Sequence, residues 1–341
     1  MNTITLIQPD DWHCHLRDNV YLSRTVSDTA MQFKRAIVMP NLSSPVTTIT
    51  AANAYKNRIE KHIPAGYDFL PLMTLYLTES MSPEIINAAK GIITACKYYP
   101  AAATTHAKAG IDDVKKIYPL LEQMQSSNMP LCIHGESINK NADIFDREKL
   151  FLTETLNNII SDFPKLRVIL EHISTKAAVD FILQAPQNIA ATITPHHLHY
   201  NRNDLLRHGI HPHYYCLPIL KRIEDQQALI QAAISGNPKF FLGTDSAPHS
   251  VEKKESACGC AGIYSAHAAL GLYADIFEKY HALDRLEKFA SIAGAEFYQL
   301  PINKNNIILE KTPYKIAEKL SFGHTQLIPM KAGETVSWKV Q

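Results

Sequence analysis

His13 and His15 stand two apart in the string Asp11-Trp12-His13-Cys14-His15-Leu16-Arg17. Residues i and i+2 of an extended chain face the same way. The two imidazoles can therefore grip one metal ion together, while Cys14 points away. His134 (in Cys132-Ile133-His134-Gly135-Glu136), His172 (in Leu170-Glu171-His172-Ile173-Ser174) and Asp245 (in Leu242-Gly243-Thr244-Asp245-Ser246) each end an apolar run. Nitrogen and carboxylate donors of that kind suit zinc or a similar divalent ion. A lone His-x-His is weak evidence, and each of these residues taken singly is as consistent with a hydrogen-bonded polar group at a strand end. The conjunction is what points to metal chemistry. Lys97, in Cys96-Lys97-Tyr98-Tyr99, extends it. An ammonium beside two metal ions is disfavoured, so its pKa should fall. A neutral amine can take up carbon dioxide to give a carbamate, an anionic group able to bridge two metals. A lysine paired with an acid, or snorkelling from a rim, is the plainer reading.

The elements that must position these residues alternate along the chain. Nearly continuous hydrophobic runs, as in buried parallel strands, cover Thr5–His15, Arg35–Asn41, Phe69–Thr78, Ile93–Tyr99, Pro130–Glu136, Arg167–Ser174, Ile189–His196 and Lys239–Ser246. Helical patterns lie between them at Tyr21–Gln32, Thr48–His62, Pro83–Lys90, Asp112–Ser126, Arg147–Ser161, Lys176–Gln184 and Glu224–Ile234, and Tyr264–Tyr280 reads as a closing helix. Pro83 after Ser82 suits a first helical position. Asp112 and Asp113 place acidic charge at a helix's positive end. Eight such units predict a (β/α)8 barrel, with a doubly wound open sheet as the alternative. The polar residues favour the barrel, because strand ends one, two, four, five, six and eight would then converge on one mouth. The whole chain, 1–341, reads as one domain. Its tail, 322–340, forms short strands packed outside the barrel.

The composition excludes other classes of function. The chain has 341 residues, 46% hydrophobic and 20% charged, with a net charge of +1. No basic run marks a nucleic-acid or anionic-membrane surface. The N-terminal string shows no basic, then apolar, leader, and no run approaches a membrane span. A cytosolic chain is expected. Its six cysteines, including Cys258 and Cys260, form no paired CxxC framework and are read as free thiols. The remaining histidines, among them His62, His199, His208, His211, His213 and His281, are read as surface or rim residues.

The pattern His-x-His, Lys, His, His, Asp resembles that of the amidohydrolase superfamily. Longer strings resemble the dihydroorotases, in the shorter class found in many Gram-negative bacteria. They are DDWHCHLRD (10–18), VMPNLSSPVTT (38–48), KYYPAAATT (97–105), PLCIHGE (130–136), EHISTK (171–176), ATITPHHL (191–198), YCLPILKR (215–222), FLGTDSAPH (241–249) and CGCAG (258–262). The resemblance implies two divalent metal ions, most simply zinc. His13, His15 and Asp245 would hold one, and His134 and His172 the other. Carbamylated Lys97 and a hydroxide would bridge them, with Asp245 as general acid and base. It also implies that Arg17, Asn41 and His249 hold a substrate carboxylate, that the backbone around Leu217 and Ala261 meets the ring edge, and that Thr104 and Thr105 sit on a closing loop. In that loop His106-Ala107-Lys108-Ala109 departs from the pattern. Arg17 fits its role independently, since a guanidinium forks onto a carboxylate.

The implied reaction is the reversible ring closure of N-carbamoyl-L-aspartate to (S)-dihydroorotate, a step of pyrimidine biosynthesis, in a homodimer. Another cyclic amidase, of hydantoinase or allantoinase type, is the competing enzyme reading. Arg17 and Asn41 oppose it, because a hydantoin lacks that carboxylate. A catalytically inactive partner protein is the competing non-enzyme reading, and filled ligand positions oppose it.

Overall fold

The structure, a computed structural model, describes residues 2–101, 103 and 109–341. Thr104 and Thr105 lie outside the described residues. A first short strand, β1 (Thr3–Ile7), precedes eight parallel strands: β2 (Asp10–Cys14), β3 (Arg35–Val38), β4 (Leu70–Tyr76), β5 (Ala95–Tyr98), β6 (Leu131–His134), β7 (Val168–Glu171), β8 (Ile189–Ile193) and β9 (Phe240–Leu242). They hydrogen-bond in sequence order, β2 to β9. Just beyond their ends β2 and β9 close on each other. Cys14 bridges Ser246 in parallel, the Asp245 amide donates to His13 O (2.8 Å), and the His15 amide donates to Ser246 O (3.0 Å). The fold is a (β/α)8 barrel, and the predicted strand ends meet at its mouth.

The expected first strand, Thr5–His15, is two strands. Pro9 has no amide hydrogen to donate, and Gln8 and Pro9 belong to neither strand. β1 leaves the barrel to pair antiparallel with β10 (Asn306–Lys315). A hairpin, β11 (Leu320–Phe322) with β12 (Thr325–Leu327), follows, and β13 (Thr335–Val340) pairs with β10. The tail thus contributes to a sheet beside the barrel that also takes in the N-terminus.

Most helices fall where the pattern placed them. Thr48 and Thr175 cap Ile49–Glu60 and Lys176–Gln184 by accepting from Ala51 N and Ala178 N. Three differ. Asp112–Ser126 starts as a 3-10 turn, Val114–Ile117, before the α-helix Tyr118–Ser127, whose first turn contains Pro119. Arg147–Ser161 is interrupted by a π turn at Leu152–Leu156. The strand expected to reach His196 stops at Ile193, because Thr194 caps a short helix, Pro195–His199.

The barrel's lower interior is apolar. Trp12, Ile37, Ala95, Cys132, Ile169 and Phe241 pack there against Ala293, Ala295 and Tyr298 of a helix that plugs the floor. Tyr298 stacks on Trp12 at 4.6 Å and 9°. A Cβ on Gly294 would lie 2.0 Å from Trp12 Nε1, so only glycine allows this approach. A bulge in β2 sets the level above. Asp11 and Cys14 pair with Ala36 and Val38, so β2 carries one extra residue there. Strict alternation would send Trp12 and His13 to opposite faces. With the bulge Trp12 joins the interior cluster, His13 meets the carboxylates at the mouth, and Cys14 packs in the outer core between strands and helices.

Candidate active site

The mouth collects buried polar groups from the ends of β2, β5, β6, β7 and β9. His13 Nε2 and His15 Nε2 lie 3.4 and 3.0 Å from Asp245 Oδ1. Ligand atoms of these three residues fall within 4.8 Å of one another and could hold a metal ion. The ring of His172 sits 4.9 Å from those of both His13 and His134. Lys97 is fully buried, and its ammonium has no hydrogen-bond partner among the described residues. That is costly for a cation unless another group completes it. The orphaned amine and the nitrogen and carboxylate donors around it together fit a two-metal centre.

Two glutamates outside the expected set orient these ligands. Glu171 Oε2 lies 2.9 Å from His13 Nδ1, and Glu136 Oε2 lies 2.8 Å from His134 Nε2. Each pairing leaves the opposite ring nitrogen for another partner, as carboxylate–histidine pairs do around metals; for His13 that nitrogen faces Asp245. Glu171 also accepts from Thr192 Oγ1 (2.6 Å). Asp11 accepts from the Thr244 amide (2.8 Å) and hydroxyl (2.6 Å), tying β2 to the segment that carries Asp245. The available signals were local: Glu136 follows His134 by two residues, and Glu171 precedes His172.

Burial lowers the Lys97 pKa, against the pull of Glu171. Burial likewise lowers His15, to about 4, and His134, and holds His172 well below its ordinary value. Neutral imidazoles are the form that binds metal. Burial also works on His13, but there Glu171 prevails and raises it. Asp245 is pushed up by burial, yet hydrogen bonds with His13 and His15 hold it well below the usual carboxylate range. His172 and Asp245 both have φ of 43°, and Arg17 has 58°. Such left-handed backbone at non-glycine residues is strained and clusters at working sites.

Arg17, Asn41, Leu217 and Ala261 line a tight inner cavity of about 20 Å³ together with His15, His134, His172 and Asp245. Outside it opens a cleft of about 540 Å³, of which Arg17, Asn41 and His249 form one wall. Arg17 Nη2 meets His249 Nε2 at 2.9 Å, and Arg17 Nε donates to Pro248 O at 2.9 Å. The structure therefore brings the six expected ligands together and sets the three expected carboxylate-binding residues beside them.

A second group, His196, His197 and Cys216, also brings ligand atoms within 4.8 Å of one another. His197 and Cys216 are hydrogen-bonded, whereas neither ring nitrogen of the buried His196 has a hydrogen-bond partner among the described residues. His197 bonds Thr194 Oγ1 (2.8 Å) and Pro218 O (3.0 Å), and the Cys216 thiol donates to the same carbonyl (3.3 Å).

Known proteins share this architecture. Residues 3–311 match the amidohydrolase family. A dihydroorotase from Coxiella burnetii is 61% identical over 100% of this chain and 99% of its own length, and one from Teredinibacter turnerae is 55% identical over the same shares. A crystal structure of dihydroorotase from Campylobacter jejuni superposes with a TM-score of 0.92 at 34% identity, covering 100% of this chain and 98% of the other. A Saccharomyces cerevisiae dihydroorotase in complex with 5-fluoroorotic acid gives 0.91 at 33%, covering 100% and 99%. An L-hydantoinase from Arthrobacter aurescens, 17% identical with a TM-score of 0.82 over 98% of this chain and 82% of its own, shares the fold. On the family match and these full-length identities, the chain belongs to the amidohydrolase family, in its dihydroorotase branch.

Proposed function

We propose that this enzyme interconverts (S)-dihydroorotate and N-carbamoyl-L-aspartate at the barrel mouth, closing the ring in the direction of pyrimidine synthesis. The observation that carries the reading is the buried Lys97 amine, unpartnered among the described residues and ringed by His13, His134, His172 and Asp245, with Arg17 and His249 beside them. His13, His15 and Asp245 would hold one divalent ion, His134 and His172 the other, and Lys97 as its carbamate both; zinc suits the donors. When bound, such a pair supplies an electrophile for a ring carbonyl and a water ionised at neutral pH.

The chain's own groups do the rest. Arg17, Asn41 and His249 grip the substrate carboxylate, which fixes the ring in attacking geometry. The backbone at Leu217 and Ala261 holds the ring edge. Asp245, ionised and close to the histidines, takes the proton of the attacking water and delivers it to the departing ring nitrogen. In ring closure it moves that proton the opposite way. A hydantoin ring would leave the Arg17 grip without a partner, which disfavours that substrate class. All six cysteines are free thiols, which supports a reducing, cytosolic setting. No helix among the described residues is long and apolar enough to cross a membrane. The homodimer rests on the resemblance to dihydroorotases, and light scattering tests it.

Metal analysis combined with dihydroorotate hydrolysis, with and without a chelator, tests the whole reading. Two metal ions per chain and loss of activity on chelation are expected; full activity without metal overturns it. The substrate has its own test. Carbamoyl-aspartate carries two carboxylates and dihydroorotate one, so closure consumes a proton. The equilibrium ratio of closed to open form should rise about tenfold for each unit the pH falls near neutrality. A ratio indifferent to pH would remove this substrate pair.

A further inference from the structure

Lys254 ends a one-turn helix, Val251–Lys254, just beyond His249, and is 2% exposed. Its ammonium donates to three backbone carbonyls: Tyr215 O (2.7 Å), Cys260 O (2.8 Å) and Gly262 O (2.8 Å). A lysine ammonium has three donors and no acceptor, so three carbonyls satisfy it. Burial works against the charge and lowers its pKa to about 8.

The three carbonyls belong to two stretches far apart in sequence. One runs from Tyr215 into Leu217, the other from Cys260 to Gly262. Leu217, Ala261 and Gly262 all line the inner cavity. The Gly262 amide adds a bond to Tyr215 O (3.0 Å). Gly262 has φ of 144°, and a Cβ there would lie 2.3 Å from Ala247 O, so the second stretch is seated tightly on the segment after Asp245. In a planar trans peptide the carbonyl and the following N–H point opposite ways. Drawing Cys260 O onto Lys254 therefore turns the Ala261 N–H away from Lys254.

We infer that Lys254 positions the backbone that meets the substrate ring: by gathering the Tyr215, Cys260 and Gly262 carbonyls at one point, it sets the spacing of the Leu217 and Ala261 stretches and the direction the Ala261 peptide faces. This rests on the proposed reading of Leu217 and Ala261 as ring contacts. Lys254 itself touches neither substrate nor metal. Its loss changes ring binding and leaves the chemical step and the metal centre intact.

The test uses the metal-loaded full chain and the variants Lys254→Met and Lys254→Arg. It measures kcat and KM for dihydroorotate, metal content, and calorimetric binding of orotate, a planar ring probe. In Lys254→Met, KM should rise about tenfold and orotate should bind weaker by a similar factor, the scale of a lost hydrogen bond or two, with kcat and metal content held. Wild-type KM and orotate affinity overturn the inference; so does a fall in kcat or metal content with KM unchanged. Should Lys254→Met fail to fold, Lys254→Arg carries the same test, since its planar fork cannot meet three convergent carbonyls. A raised KM with intact kcat supports the inference, and a wild-type KM overturns it. A wild-type chain inactive on dihydroorotate overturns the proposed function and this inference with it, before any variant is made.

Discussion

The two ends of the barrel interior are built from the same strands and are opposite in character. Ala95 and Lys97, Cys132 and His134, Ile169 and Glu171 are neighbours two residues apart, and each pair places an apolar group on the floor and a polar one at the mouth. The floor is tightly packed: Trp12, Phe241 and Tyr298 interlock. The mouth buries a lysine with no hydrogen-bond partner among the described residues and holds His172 and Asp245 in left-handed backbone. The strained backbone and the unpartnered lysine lie at the mouth, where binding or chemistry needs them; on the floor the Trp12 Nε1 donor is also without a hydrogen-bond partner among the described residues. Stability should therefore be drawn from the floor and activity from the mouth.

The largest separation is expected at Lys97. Lys97→Ala should reduce turnover about 10³-fold or more, if Lys97 belongs to the proposed metal centre. With both proteins stripped of metal, its melting temperature should match or exceed wild type, because an unpartnered buried ammonium has gone. A clear drop in the melting temperature would break the contrast. Tyr298→Ala should do the reverse. It removes the ring stacked on Trp12 and should cost about 3–5 kcal/mol in denaturant unfolding, while kcat and KM of the folded fraction hold. Gly294→Ala tests the same floor by crowding and should cost about 1–3 kcal/mol, again without a change in KM. Smallest, Arg17→Met should raise KM for dihydroorotate about tenfold through loss of a charged hydrogen-bond fork and leave unfolding unchanged. An Arg17→Met protein that lost stability but kept KM would place Arg17 with the floor.

Much of the mouth was legible in the sequence because its residues end apolar runs, and parallel strands must end together. Lys97, His134, His172 and Asp245 could be placed by that rule alone. The rest depended on tertiary detail. Period-two reasoning paired His13 with His15 correctly but had no means to find the bulge that lets Trp12 share the interior with them. The floor helix Ala293–Tyr298 is short and carries a glycine, so its sequence looks like a poor helix. Its packing against Trp12 decides it. Glu136 and Glu171 were hidden beside stronger signals, and Lys254 lay in a charged string that reads as surface.

The closing seam of the barrel also bears on how the enzyme is made. Asp11 and Thr244, joined across that seam, are 233 residues apart in the chain. A ribosome delivers His13 and His15 early, and Asp245 only when about seven-tenths of the polypeptide exists. Until the last strand docks against the first, the proposed ligand set of His13, His15 and Asp245 lacks its carboxylate. Pairing of such distant segments is the slow part of folding. Metal that binds only the completed set would act as a latch on that final event, so the metal-free barrel should close at the same seam but open there more readily than the loaded one.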